Sequence, residues 1–312
     1  MRISLGYQIP IFTYEGGPGA IFETTVAQAR AAEASGFDTV LLMDHFYQLP
    51  SHGAADEPML ECYTTLAALA CHTSSIRLSA LVTGNTYRNP ALLAKTVTTL
   101  DLISSGRAIL GIGAGWFELE HNAYGFEFGS FAQRFDRLEE ALQIIVPMLS
   151  GSTPTFEGTW YRAHSALNNP RLRDRIPVML GGSGEKRTFR LAARFADHLN
   201  LLCPVHDIAR KLSVLRQRCE EVGRDPGTLG TTFLASVIPV DGSADVAAVR
   251  AGLTPYMQEF AVIGTPEQIA DHLAEKVLPQ GVDGLTVNMP VNGHVPGVVD
   301  AIGAALGPLV RR

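Results

Sequence analysis

A chain of 312 residues with 18% charged and 46% hydrophobic residues, 30 Gly and 18 Pro has the composition of one large globular domain or two modest ones, which excludes disorder, collagen and coiled coil. The formal charge is −6 and the densest cationic stretches, Arg171 to Arg175 and Lys186-Arg187, are too short for a phosphate-backbone footprint, so nucleic acid is excluded as a partner. No apolar run approaches the ~18 residues of a membrane span, and the N-terminus enters a strand-like pattern without a signal peptide's apolar core, so a cytoplasmic protein is expected.

In chain order, short apolar runs alternate with amphipathic windows, as parallel strands alternate with crossover helices. Strands are predicted at 3–8, 39–43, 77–82, 108–112, 177–180, 198–202, 231–237 and 284–288. Helices are predicted at 22–35, 61–73, 90–103, 132–149, 185–196, 207–222, 266–277 and 296–306. Their ends carry recognisable signals: Gly36 and Gly223 as left-handed stops, Asn89-Pro90 as a cap followed by proline, and Thr265 with Gln268 as a reciprocal cap. Eight such units predict a (β/α)8 TIM barrel, α/β in class, as a single domain over 1–312, with a doubly wound open sheet as the other topology. Two crossovers exceed a plain loop and helix, 114–175 and 238–283, and are read as insertions after strands 4 and 7. The first holds a hairpin signal at 152–161. The cysteines Cys62, Cys71, Cys203 and Cys219 lack paired metal spacing and read as reduced structural thiols.

Asp44 and His45 directly follow the second strand, at the end of a barrel where active sites form, and an imidazole there can exchange protons near neutral pH. His52, Asp56 and Glu57 share that loop without regular ligand spacing, and no metal is expected. Gly111, Gly113 and Gly115 lack the spacing of a dinucleotide fingerprint; they read either as close strand packing or as bare backbone against a flat ligand. The turn Gly181-Gly182-Ser183-Gly184, between a strand and a helix, offers unpaired amides to an anion. Lys186, Arg187, Arg190 and Arg194 behind it read either as a hold for an anionic tail or as a solvated face. No P-loop lysine and no nucleophile elbow is present, which excludes nucleoside triphosphate chemistry and serine hydrolysis.

The ordered set Leu5-Gly6-Tyr7, Met43-Asp44-His45-Phe46, Thr83, Tyr87-Arg88-Asn89-Pro90, Ser105-Gly106-Arg107, Gly111 to Trp116, Arg134-Phe135, Leu138-Glu139-Glu140, Gly181 to Gly184 and Gly264-Thr265-Pro266-Glu267 resembles the bacterial luciferase-like superfamily. Within it the closer likeness is to the coenzyme F420-dependent oxidoreductases of the luciferase-like monooxygenase class. The resemblance implies hydride transfer between F420, a 5-deazaflavin, and a small organic substrate, in a protein that is usually a homodimer. It places Asp44 and His45 beside the cofactor ring, with His45 moving the proton. It puts Ala80 and Leu81 at the family's non-prolyl cis peptide, Thr83, Gly113 and Gly115 along the cofactor, and Gly181, Gly182, Ser183 and Gly184 at its phosphate. Trp116 stands where related glucose-6-phosphate dehydrogenases carry an acidic residue. Phe117, Trp160 and Tyr161, from the insertion after strand 4, are expected to pack the substrate. FMN in the same cradle, as in a monooxygenase, and a non-catalytic cofactor carrier are the alternatives.

Overall fold

Branched aliphatic residues dominate eight short strands that pair in parallel and close on themselves in a computed structural model describing residues 2–310. They are β1 (Leu5–Ile9), β2 (Thr39–Leu42), β3 (Arg77–Ala80), β4 (Ala108–Gly113), β5 (Val178–Gly181), β6 (His198–Leu201), β7 (Gly230–Pro239) and β8 (Gly284–Asn288). Each pairs with the next, and β8 returns to β1 with Leu5 opposite Leu285, so the barrel is closed as predicted.

The helices that follow the strands are α1 (Ile21–Ser35), α2 (Cys62–His72), α3 (Pro90–Ile103), α4 (Phe131–Leu149), α5 (Thr188–Phe195), α6 (Ile208–Glu221), α7 (Pro266–Lys276) and α8 (Val298–Val310). Their ends follow local chemistry. Gly36 closes α1 at φ 91°, Asn89 caps α3 ahead of Pro90, and Thr265 and Gln268 cap α7 reciprocally. The helix expected from 185 begins at Thr188 because residues 185–187 form a turn. The four cysteines are free, Cys62 and Cys219 buried and Cys71 exposed.

Strand alternation divides the interior in two. Leu42, Leu110 and Leu180 face outward into the main core beneath the helices, whereas Leu41, Ile109 and Met179 join Ile3 in a separate apolar cluster inside the barrel, on which Leu81 and Val82 rest. Gln8, Asn200, Thr286 and Asn288 are also buried and linked by hydrogen bonds, so the barrel is apolar at this cluster and polar beneath its mouth.

Both long crossovers contain short elements, of which only the hairpin of the first was expected from the sequence. The first holds a helix at Glu118–Tyr124 and an antiparallel pair, Phe156–Glu157 with Arg162–Ala163, slightly beyond the expected hairpin. In the second, β7 continues to Pro239 and pairs with an extra strand, Val262–Gly264. Helices at Val246–Ala251 and Pro255–Phe260 lie between them.

Candidate active site

The strand ends surround a cavity of about 690 Å³. Asp44, His45, Leu81, Thr83, Gly115, Gly181 and Gly182, all singled out from sequence, line it. Ala80, Gly113, Ser183 and Gly184 do not. Ala80 is fully buried in the core, and the cis bond expected between Ala80 and Leu81 lies one residue later, between Leu81 and Val82. β3 stops at Ala80, and pairing resumes only when Thr83 and Gly84 meet Ile112 and Gly113.

Two glycines take their place from this bulge. A Cβ on Gly113 would lie 2.9 Å from one methyl of Val82, and a Cβ on Gly181 would lie 2.8 Å from the other. Val82 is thus wedged between two bare backbones, and Gly113 serves packing rather than the cavity wall. The Leu81 carbonyl accepts from Gln8 Nε2 at 3.2 Å, and Gln8 Oε1 accepts from Asn288 Nδ2 at 2.9 Å. This chain orients both amides. It leaves Asn288 Oδ1, buried at the cavity, as an acceptor without a protein donor.

His45 stands on the loop after β2, with its Nδ1 2.9 Å from Oε2 of Glu120. Glu120, on the helix Glu118–Tyr124, is fully buried and was not singled out from sequence. Its carboxylate also accepts from Tyr87 Oη at 2.5 Å, from the Tyr47 amide at 2.9 Å and from the Phe46 amide. Burial raises a carboxyl's pKa, but these donors outweigh it and hold Glu120 below its ordinary value. An ionised carboxylate only accepts, so Nδ1 carries the imidazole proton and Nε2 is left as the basic nitrogen. Trp116 and Phe117 meet the imidazole edge-on, with centroids 5.7 and 5.8 Å away.

Asp44 has a different task. Arg88 grips its carboxylate through two guanidinium nitrogens, at 2.6 and 2.9 Å, and also reaches Glu61 at 2.7 Å. Burial raises Asp44 and the Arg88 guanidinium opposes that rise; burial in turn lowers Arg88, but the Asp44 carboxylate outweighs it and raises Arg88 above its ordinary value. Asp44 therefore anchors the loop that carries His45, and its oxygens are committed to that anchor. Arg88 further lies over the Tyr63 ring, whose hydroxyl meets Thr83 Oγ1 at 2.6 Å.

At the glycine turn, Gly182 has φ 122° and its amide donates to Asn200 O. Among the described residues, the Ser183 and Gly184 amides have no protein acceptor, and Ser183 Oγ donates to Leu202 O. Behind the turn, Arg187 pairs with Asp136 and Arg194 with Glu139, so these two of the four expected cations hold α5 to α4. The aromatic residues expected to pack substrate lie elsewhere. Phe117 stacks on Trp116, Trp160 lies against Arg137 and the Tyr161 hydroxyl accepts from Asn85, and none of the three lines the cavity. The outer wall comes instead from residues 49–52 after β2 and from Pro255 and Tyr256 of the second insertion. Thr254 Oγ1 donates to Ser51 O at 2.7 Å and joins the two. Among the described residues no group of three or more His, Cys, Asp or Glu is arranged to hold a metal ion.

The family model for luciferase-like monooxygenases matches residues 3–256. An F420-dependent hydroxymycolic acid dehydrogenase of Mycobacterium tuberculosis is 31% identical over 286 residues, 88% of this chain and 76% of that protein. An F420-dependent glucose-6-phosphate dehydrogenase of Microbacterium testaceum is 32% identical over 198 residues, 63% of this chain and 56% of that one. The chain spans between 51% and 66% of the length of the first three curated relatives it matches. An F420-dependent secondary alcohol dehydrogenase, solved with an F420-acetone adduct, superposes over the whole of both chains with a TM-score of 0.83 at 22% identity, which shows the shared fold.

Proposed function

The chain belongs to the luciferase-like monooxygenase family, and we propose that it is an oxidoreductase transferring a hydride between coenzyme F420 and a small organic alcohol or carbonyl compound. The observation that carries this reading is the Glu120–His45 pair, which leaves one basic imidazole nitrogen on a loop lining a cavity bounded by the Leu81–Val82 bulge. The curated relatives named for F420 support the choice of cofactor.

The residues present fit such a group. Leu81 and Val82 offer an apolar support for a flat ring, and Asn288 Oδ1 offers an acceptor to an imide N–H, which deazaflavin and flavin both carry. The free amides of Ser183 and Gly184, beside the left-handed Gly182, suit a phosphate. When bound, F420 supplies a carbon centre that accepts or donates hydride.

The protein's own part is proton transfer and placement. In the oxidative direction His45 Nε2 takes the hydroxyl proton as the C–H hydride leaves, and in the reductive direction it returns that proton to the carbonyl oxygen. Glu120 keeps Nδ1 protonated and stabilises the imidazolium that forms, while Asp44 and Arg88 hold the loop still. Trp116 covers the site beside the imidazole. We also read the protein as a cytoplasmic homodimer; Leu92 and Ile103, exposed on α3, are side chains that a second copy would cover. Among the described residues no helix is long and apolar enough to cross a membrane.

The test is thermal unfolding with oxidised F420 or FMN. F420 at about a hundred times its dissociation constant should stabilise the fold by roughly 2.7 kcal/mol, raising Tm by several degrees. Stabilisation by FMN alone overturns the choice of F420.

A further inference from the structure

The outer wall of the cavity carries a second imidazole that the proton transfer does not use. His52 Nδ1 lies 2.8 Å from Ser51 Oγ, while its Nε2 is buried and has no protein partner. A turn fixes the ring's base, since the His52 amide donates to Leu49 O at 2.8 Å, and the Thr254–Ser51 bond closes the second insertion against it. The neighbouring wall is apolar: Leu49, Pro50, Leu202, Pro255 and the ring of Tyr256. Among the described residues no Lys or Arg lines the cavity, and Asp44, the one carboxylate among them that does, is already paired with Arg88.

Resting on the hydride-transfer reading above, we propose that this wall selects an uncharged, mainly apolar alcohol or ketone bearing a second oxygen, hydrogen-bonded by His52 Nε2, and that it rejects phosphorylated substrates. A phosphate buried against this wall would lose its hydration with no cation in return. A hydroxyl suits His52 in either tautomer, because it both donates and accepts. Burial pushes the imidazole down to about 4, so it meets the substrate neutral at pH 7. A substrate lacking the second oxygen gains nothing at Nε2, which stays as buried and unpaired as in the free protein, so the second oxygen adds one hydrogen bond to affinity.

Binding rather than turnover tests this. The protein, with and without F420, is titrated calorimetrically with trans-1,4-cyclohexanediol, cyclohexanol and glucose 6-phosphate. The diol should bind about tenfold more tightly than cyclohexanol, the worth of one buried hydrogen bond, and glucose 6-phosphate more weakly than both. His52→Leu should erase the diol's advantage, and His52→Gln, which keeps a polar atom, should retain part of it; circular dichroism checks that each is folded. Glucose 6-phosphate binding as tightly as the diol, a preference for the diol that survives in His52→Leu, or failure of both alcohols to bind overturns the proposal. Failure of the cofactor reading shows separately, as absent stabilisation by F420, and leaves the titrations of cofactor-free protein interpretable.

Discussion

Glu120 and His45, 75 residues apart in sequence, form a carboxylate–imidazole pair at 2.9 Å in which the carboxylate is fully buried and the imidazole faces the barrel mouth. The carboxylate is fixed from several sides, so the imidazole inherits its orientation from two backbone amides and a tyrosine as well as from its own loop.

Glu120→Gln tests that inheritance. The amide oxygen can still accept from Phe46 and Tyr47, but the new NH₂ donates toward His45 Nδ1 and drives the proton to Nε2. Turnover should fall about 10²-fold or more, with the affinity for F420 retained. Nitrogen NMR of the imidazole should report the changed tautomer even in protein without substrate. An unchanged tautomer with full activity removes Glu120 from its positioning role.

Asp44→Asn should act on stability first. It leaves the mostly buried Arg88 guanidinium with the half-exposed Glu61 as its one remaining carboxylate among the described residues, and breaking a buried ion pair from one side costs about 3 kcal/mol. Urea unfolding should show that loss, and replacing both partners, as in Asp44→Leu with Arg88→Met, should recover most of it. If the single variant unfolds like the parent, the pair is not the anchor described.

The acid limb of stability should carry the signature of His198. This fully buried residue opens β6, with Nε2 3.0 Å from Thr232 Oγ1. Burial, assisted by the charges of Arg77 and Arg2, pushes its pKa down to about 3 from an unfolded value near 6.5. The folded state thus binds fewer protons, so the stabilisation is complete above about pH 6.5 and drains as pH falls toward 3. By pH 4 the loss should be on the order of 3 kcal/mol, and His198→Asn should flatten the curve over that window when denaturant midpoints are measured between pH 7.5 and 4. A slope identical to the parent's would show that His198 does not set it.

The barrel was legible because its strands are written as isolated apolar runs and its helices carry their caps in sequence, as at Asn89-Pro90 and Thr265 to Gln268. His45 was legible from its position alone, directly after a strand. Glu120 was not: Glu118-Leu119-Glu120-His121 looks like the polar face of a short helix, and a helix of seven residues has too little periodicity to reveal which side is buried. The only cue lay in its neighbourhood, close behind Gly115 and Trp116. The wall formed by residues 49–52 with Pro255 and Tyr256 was hidden for another reason. Its halves are some 200 residues apart, and a single hydrogen bond between Thr254 and Ser51 brings them into register. The hairpin of the first insertion drew attention by its aromatic residues, yet Trp160 spends its ring on Arg137.

That bond between Thr254 and Ser51 also has a bearing on how such a barrel diversifies. The hydroxyl belongs to one loop and the carbonyl to another, so neither segment alone encodes the shape of the guest chamber. Transplanting the loop after β2 into another barrel would deliver His52 without the surface that encloses it, and transplanting the second insertion would deliver a lid without its latch. Guest preference in this architecture is a property of a matched pair of loops, and it can drift only as fast as the two change together.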